Sequence, residues 1–581
     1  MSGPSGWDLS VVFADDATAV AEAVRLATNA EELAVRATAG IAEAKAASAL
    51  LEEWAEIDAR VDQVHDYARM RQYADANGPG VQEVMINVTA SVTAARASLE
   101  RILDVWRGLS DDDVAAILAV GATEPAAYRL NHARRLAVHR LSPEAERVWA
   151  ARTEAARTRW GSLNDNVEGA LLVRFDDGTG ERLWGVGDLG TLVRRPEPEV
   201  RRAAYDALAD AYASTNDVLA IAWDALVADR LAEDRLRGRA HPAQETLDEE
   251  DMSLEGLLTL VAVSPRRYEI RRRMLRAQAT LLGLDEFTVA DADAPLPGME
   301  PLAYATVTEL AVAGLASLAP VLGDDGARLV AAGRIDGETR TGKQPYAVTL
   351  STLLDPPAFL SFRYTGSPGN VPLLGHELGH AVGLARAAEA QPLVARGWPG
   401  VVFEVPSMTA EIAAGDAFVA AHPEHADTVR FVAAQDLAWS AFEAVAFCLV
   451  ELDLYEMRAG GTILTGDLIR DAFRRRFAEL YEPDVPFGDK DALVAMGSWA
   501  NYSMHSRFYN FQYAVGALVA LAFHARRRED PERFATDYVA FLSEGRRSSP
   551  AAQLVRFGLG LDEATWVAGY DELERRFAEF S

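Results

Sequence analysis

The chain has 581 residues, 49% of them hydrophobic and 25% charged, with a formal net charge of −30. That composition supplies apolar material for a large folded core and excludes a disordered or fibrous chain. The acid excess argues against nucleic acid or an anionic membrane surface as a partner. Cys448, the single cysteine, lies in the apolar run Ala444 to Val450, so it has no partner for an internal disulfide.

From Asp15 to about Gly121, Ala, Leu and Val recur at helical spacing, and Ser110 before Asp111, Asp112 and Asp113 reads as a cap. Ser142 followed by Pro143 opens a further helical stretch. His65, His132 and His139 in this part read as surface or core histidines. Leu171 to Phe175 and Glu181 to Val186, either side of a glycine-containing turn, predict a β-hairpin. Past Pro196 a long helix runs to about Arg237 and stops at Gly238, and Ser264-Pro265 opens another that ends at Gly283. Asp291 to Pro295 reads as a solvated, extended connector. Two β-like runs follow, Ala347 to Leu350 and Phe359 to Tyr364, flanked by Pro345, Pro356 and Pro357.

Next comes Gly375-His376-Glu377-Leu378-Gly379-His380. At 3.6 residues per turn, His376 and His380 project from one helix face, one turn apart, so they can share a metal ion. Glu377 falls beside them, placed to take a proton from water at that metal. Asn370 offers an N-cap oxygen, and Val371, Leu373, Leu374, Leu378, Val382 and Leu384 supply an apolar body. The segment therefore predicts a buried helix, where imidazoles need partners.

Catalytic zinc usually takes three protein ligands. The three-histidine pattern HExxHxxGxxH nearly fits, but position 386 is arginine, which cannot ligate a cation. Glu404 is the better candidate, preceding a helical pattern from Ser407 to Val419, with Glu411 two turns along the same face as a group that could orient a ligating histidine. Glu389, Asp416, His422 and His425 stay open as rivals. Helical periodicity resumes from Thr428 to Met457, closed by Gly460-Gly461, and again from Asp467 to Leu480. Glu443 and Glu451 stand in apolar surroundings and are expected to pair with arginines.

HELGH followed at this distance by Phe403-Glu404-Val405-Pro406-Ser407-Met408-Thr409-Ala410-Glu411 resembles the oligoendopeptidase F and thimet oligopeptidase family of zinc metallopeptidases. The resemblance extends to Trp7-Asp8-Leu9-Ser10, to Tyr346 through Tyr364, to Leu464 through Val485, and to Phe508 through Gly516. It implies a mainly α, multi-helical, zincin-like metallopeptidase with a small β-sheet beside the active-site helix and two lobes around a deep channel. It also implies zinc on His376, His380 and Glu404, and Glu377 as general base. Tyr509 would donate to the oxyanion, with Tyr513 further along the same helical face and His505 as the matching histidine. In the relatives that histidine lies one or two residues further ahead of the tyrosine, whereas His505 precedes Tyr509 by four; they also often carry a histidine where this chain has Gly383. By likeness to thermolysin-like zinc peptidases, the run Phe359 to Tyr364 is a candidate edge for an extended substrate.

The resulting expectation is a helical N-terminal region over 1–195, with a hairpin near 171–186, and a catalytic zinc-peptidase domain over 196–581. Its function would be to hydrolyse internal bonds of short unfolded peptides, with no nucleic acid and no membrane as partner. The alternatives are a dipeptidyl carboxypeptidase of the same family and a catalytically silent peptide-binding protein. Residues 1–10 do not read as a signal peptide, and apolar runs such as Ala514 to Phe523 are too short to cross a bilayer, so a cytoplasmic location is expected.

Overall fold

Long stretches of helix-forming residues with apolar side chains at three and four fold into long helices. In the computed structural model, whose described residues are 6–39, 44–120, 123–296, 300–344, 346–355 and 358–578, the chain starts with helices Asp16–Thr38, Ala44–Ala74 and Val81–Arg107. Asp15 caps the first by accepting a hydrogen bond from the Thr18 N–H, and Ser110 caps the short helix Asp111–Leu118 through Asp113. The facing stripes bury Leu33, Trp54, Val61, Val88 and Trp106. Each of the two tryptophans removes on the order of 200 Å² of surface from water.

The chain forms two compact units, each assembled from three stretches. The first comprises Met1–Ala137, Glu300–Ala433 and Ala522–Gly560; the second comprises Val138–Met299, Ala434–Leu521 and Leu561–Ser581. The cut at 195/196 expected from the sequence is a single point along the chain, whereas these units interleave along it, a feature that local periodicity does not carry.

In the second unit, β1 (Leu172–Asp176) and β2 (Glu181–Gly185) pair antiparallel as the expected hairpin, with Leu172 opposite Gly185. The helix Pro198–Arg237 ends at Gly238, whose φ of 67° is the left-handed cap that glycine adopts without strain. Helix Tyr268–Leu282 ends at Gly283 in the same way. Asp291 departs from the expected solvated connector: it is fully buried, 2.7 Å from both Arg201 and Arg202. Two arginines at the start of the long helix supply the counter-charge that lets a carboxylate leave water. Between helices Ala426–Ala438 and Ala444–Ala459, residues Trp439–Glu443 form a π-helical turn where a continuous α-helix was expected. Glu443 pairs with Arg271 at 2.6 Å as foreseen, and Cys448 is buried, which pushes its thiol pKa up.

The first unit holds a three-stranded sheet in the order β3, β5, β4, where β3 is Ile335–Asp336, β4 Val348–Ser351 and β5 Ala358–Ser361. β5 runs parallel to β3 and antiparallel to β4, with Thr349 opposite Leu360. The expected pair of strands is present, but β5 is the central strand, so it cannot be the substrate edge. Its two neighbours already use its backbone groups, and the edge strands among the described residues are β3 and β4, of which β4 carries Thr349 against the histidine helix. Pro345, Pro356 and Pro357 lie outside the described residues. Trp7 ties the N-terminal segment to this sheet by donating its indole N–H to the carbonyls of Arg334 and Leu360. Among the described residues no helix is long and apolar enough to cross a membrane.

Candidate metal centre

The centre is built in the first unit from two helices and a strand. The histidine helix, Asn370–Ala390, packs along the glutamate helix, Glu404–Ala421, and against β4 and β5. Glycine sets how closely the two helices approach. A Cβ on Gly379 would lie 2.5 Å from the Pro406 carbonyl oxygen, and one on Gly375 would lie 2.6 Å from the Ala414 Cβ. Any side chain at either position pushes the helices apart. The two glycines lie one turn apart on the same side of the helix, each just before a histidine, so they bring the glutamate helix against the metal-binding face. Asn370 does not cap the histidine helix as expected. Its carboxamide oxygen instead accepts from the Thr365 N–H at 2.9 Å and orders the preceding loop, leaving Gly369 at the cap position.

The glutamate helix begins at Glu404 itself, one turn before the Ser407 start read from periodicity. Glu404 Oε2 lies 3.4 Å from His376 Nε2 and 3.3 Å from His380 Nε2. The three candidate ligand atoms all lie within 4.8 Å of one another. Among the described residues, this is the group of His, Cys, Asp and Glu side chains arranged to hold a metal ion, and Glu389, Asp416 and His422 are outside it. His422 instead faces Glu424 at 3.3 Å, and the side chain of His425 lies outside the described residues.

The surrounding contacts fix the orientation of each group. His376 Nδ1 lies 2.9 Å from Glu411 Oε2, which leaves Nε2 directed at Glu404. A carboxylate on the far nitrogen fixes tautomer and ring orientation, the arrangement that supports a metal-binding histidine. The Phe403 ring stacks on His380 with centroids 4.5 Å apart, and the Ser407 hydroxyl donates to Glu404 Oε2 at 3.0 Å. Glu377 is buried, 5% exposed, and its Oε2 accepts a hydrogen bond from the Thr349 hydroxyl of β4 at 2.6 Å. The same hydroxyl lies 3.0 Å from the Glu377 carbonyl oxygen. Phe403 and Ser407 stood in the quoted motif without a role and Thr349 was not singled out, because nothing in a strand threonine or a helix-entry phenylalanine marks its neighbour across the fold.

Burial opposes charge on all three central groups, and their mutual attraction outweighs it in two of them. Burial alone would lower the His376 pKa, but the Glu404 and Glu411 carboxylates hold it well above the usual imidazole value. Burial likewise opposes ionisation of Glu404, yet His380 and His376 hold its carboxyl well below the usual carboxylate range. Burial pushes Glu377 up, only partly offset by His376, His380 and the Thr349 hydrogen bond. Two imidazole nitrogens and a carboxylate oxygen at this spacing fit the ligand set and the separations of a zinc ion with one position left open. A neighbouring carboxylate of raised proton affinity is the group a hydrolytic site needs as its base.

Tyr509 and His505 belong to the second unit. Tyr509 lies in the turn after helix Asp489–Ser503, and Tyr513 lies in the first turn of helix Phe511–Glu529. The two therefore do not share a helical face as expected; the chain turns at 504–510 before the second helix starts. Their hydroxyls are 3.3 Å apart, with the rings edge to face. His505 is half-exposed, with its Nε2 3.5 Å from Asp165. Its ring fills the space over Gly161, where a Cβ would come within 2.3 Å of Cε1.

Fold and cluster together define a helical protein organised around an HExxH helix whose histidines face a glutamate from the next helix. Residues 321–567 match the sequence model of Peptidase family M3. The chain is 21% identical over 408 residues to "Oligoendopeptidase F, chromosomal" of Lactococcus lactis subsp. cremoris, covering 68% of this chain and 65% of that protein. It is 22% identical over 591 residues to "Group B oligopeptidase PepB" of Streptococcus agalactiae serotype III (strain NEM316), covering 99% and 96%. The fold matches the crystal structure of oligoendopeptidase-F from Enterococcus faecium with a TM-score of 0.71 at 16% identity, covering 95% of this chain and 97% of that one. The resemblance to the oligoendopeptidase F family holds in both sequence and fold, and the stretch that matches the Peptidase family M3 model contains the histidine and glutamate helices.

Proposed function

We propose that the protein is a zinc-dependent oligopeptidase that hydrolyses internal peptide bonds of short unfolded peptides. The observation that carries this reading is the convergence of His376, His380 and Glu404 ligand atoms within 4.8 Å, beside a buried Glu377. His376, His380 and Glu404 would hold zinc, which when bound polarises a scissile carbonyl and makes water acidic enough to attack it. Glu411 keeps the His376 Nδ1 proton engaged, so Nε2 carries the lone pair for ligation. Glu377, oriented through Oε2 by Thr349, accepts a proton from the attacking water and delivers it to the leaving amine nitrogen. Tyr509 and His505 donate to the oxygen that gains negative charge, the role the family resemblance assigns them. The open edge of β4, which carries Thr349, is the strand against which an extended peptide would add. The relatives' names, oligoendopeptidase and oligopeptidase, support peptides of limited length as substrates. A buried lone thiol accords with a cytoplasmic location.

The test is metal analysis of the purified protein together with assay of a mixed library of free and terminally blocked peptides, with and without chelator. The expected outcome is about one zinc per chain and chelator-sensitive internal cleavage that includes the blocked peptides. Release of C-terminal dipeptides alone would make it a dipeptidyl carboxypeptidase. Peptide binding without zinc or cleavage would make it a silent relative and overturn the reading.

A further inference from the structure

The turn at 503–510, which carries His505 and Tyr509, is held by buried charged side chains rather than by regular secondary structure, all within the second unit. Arg230, on the long helix, donates to the carbonyls of Ser503 at 3.0 Å and Met504 at 3.4 Å. Arg507 makes a two-pronged pair with Asp234 at 2.7 and 2.8 Å, and the Thr246 hydroxyl donates to the Arg507 carbonyl at 2.8 Å. The residue immediately before Tyr509 is Phe508, a non-glycine at φ 54°, in the left-handed region. That conformation is strained for a residue with a side chain and persists only where surrounding contacts impose it. The contact at that residue comes from Glu451 on helix Ala444–Ala459: its Oε2 accepts the Phe508 N–H at 2.7 Å and its Oε1 accepts the Trp499 indole N–H at 3.2 Å. The ring of Phe508 lies 5.2 Å from that of Tyr455 on the same helix. Glu451 is 1% exposed and was expected to pair with an arginine, but its hydrogen bonds go to a backbone amide and an indole.

We infer that Glu451 is a positioning residue for Tyr509: its carboxylate holds Phe508 in the left-handed conformation from which the Tyr509 phenol is presented beside Tyr513. The inference rests on the proposed peptidase reading, in which Tyr509 donates to the developing oxyanion. A carboxylate is required because both of its oxygens receive an N–H, one from Phe508 and one from Trp499. An amide of the same shape would turn an N–H donor toward one of those two N–H groups. Burial raises the pKa of this carboxylate to about 7, and the hydrogen bonds from Phe508 and Trp499 partly offset that by favouring the ionised form.

The test is a double-mutant cycle on the full-length zinc-loaded protein, using Glu451→Gln and Tyr509→Phe with a blocked fluorogenic oligopeptide. Misplacing one donor by about 1 Å costs up to about 10²-fold, so Glu451→Gln is expected to lower kcat roughly tenfold to a hundredfold with KM changed by less than about threefold. In the Tyr509→Phe background the same change is expected to lower kcat no further. An undiminished kcat in Glu451→Gln overturns the inference, and so does a fall of equal size in both backgrounds, which would mark general damage. If Glu451→Gln fails to fold, Trp499→Phe removes the indole N–H together with part of a buried ring that stacks on Trp223, and the kcat loss it causes through Glu451 is expected to vanish when Tyr509 is phenylalanine. Should wild type and Tyr509→Phe turn over equally, the Tyr509 role in the proposed function fails rather than the link from Glu451.

Discussion

The candidate metal centre and the tyrosine turn reach a fixed geometry by opposite means. In the first, side-chain positions follow from helix periodicity and from two glycines that let one helix lie against another. In the second, an irregular backbone is fixed from outside by Arg230, Asp234, Thr246 and Glu451, each buried and each drawn from a distant part of the sequence. A site written in spacing is robust to small surface changes and sensitive to volume at the helix contact. A site held by buried charges is sensitive to single-atom changes in polarity. Substitutions at the proposed ligands and at the helix contact should therefore change metal content, whereas substitutions around the turn should change turnover with the metal retained.

The largest effect is expected for Glu404→Ala, which removes a ligand and leaves two imidazoles; zinc should be lost on dialysis and hydrolysis with it, as read by metal analysis. Retained stoichiometric zinc would move the third ligand elsewhere. Glu377→Gln should keep zinc bound while hydrolysis falls on the order of 10²- to 10⁴-fold, the usual contribution of a positioned base. Full activity in that variant would refute the mechanism. Glu411→Gln should weaken zinc affinity about 10- to 100-fold, measured by competition with a chelating dye, because only the orientation of His376 is affected. Gly379→Ala sharpens the comparison: its added methyl meets the Pro406 carbonyl at 2.5 Å and should cost about 1–3 kcal/mol in unfolding free energy, with weaker zinc binding as the helices separate. Arg507→Lys should be the mildest, lowering kcat by a few-fold with unchanged zinc, since a lysine reproduces the charge opposite Asp234 but not the two-pronged geometry.

What could be read in advance follows the same divide. His376 and His380 stand four apart, and a helix places them together whatever lies around it. Gly238 and Gly283 likewise marked helix ends because left-handed caps favour glycine. The order of the strands was out of reach, since a run of β-forming residues does not say whether it is flanked by one neighbour or two. β5 thus proved central, with β3 and β4 at the edges. Asp291 shows the same limit for charge, because a polar loop reads as solvated until two arginines from another element enclose it. The turn before Tyr513 was invisible for a related reason: Glu451 lies 57 residues before Phe508 in sequence, and no local pattern links them.

All three proposed ligands, together with Glu411 and Thr349, come from a single unit of the chain. Capturing the cation is thus a local event, requiring only that the histidine and glutamate helices and one strand be formed. Amide exchange followed during demetallation should accordingly report loosening confined to those segments, while the backbone of the tyrosine turn keeps its protection.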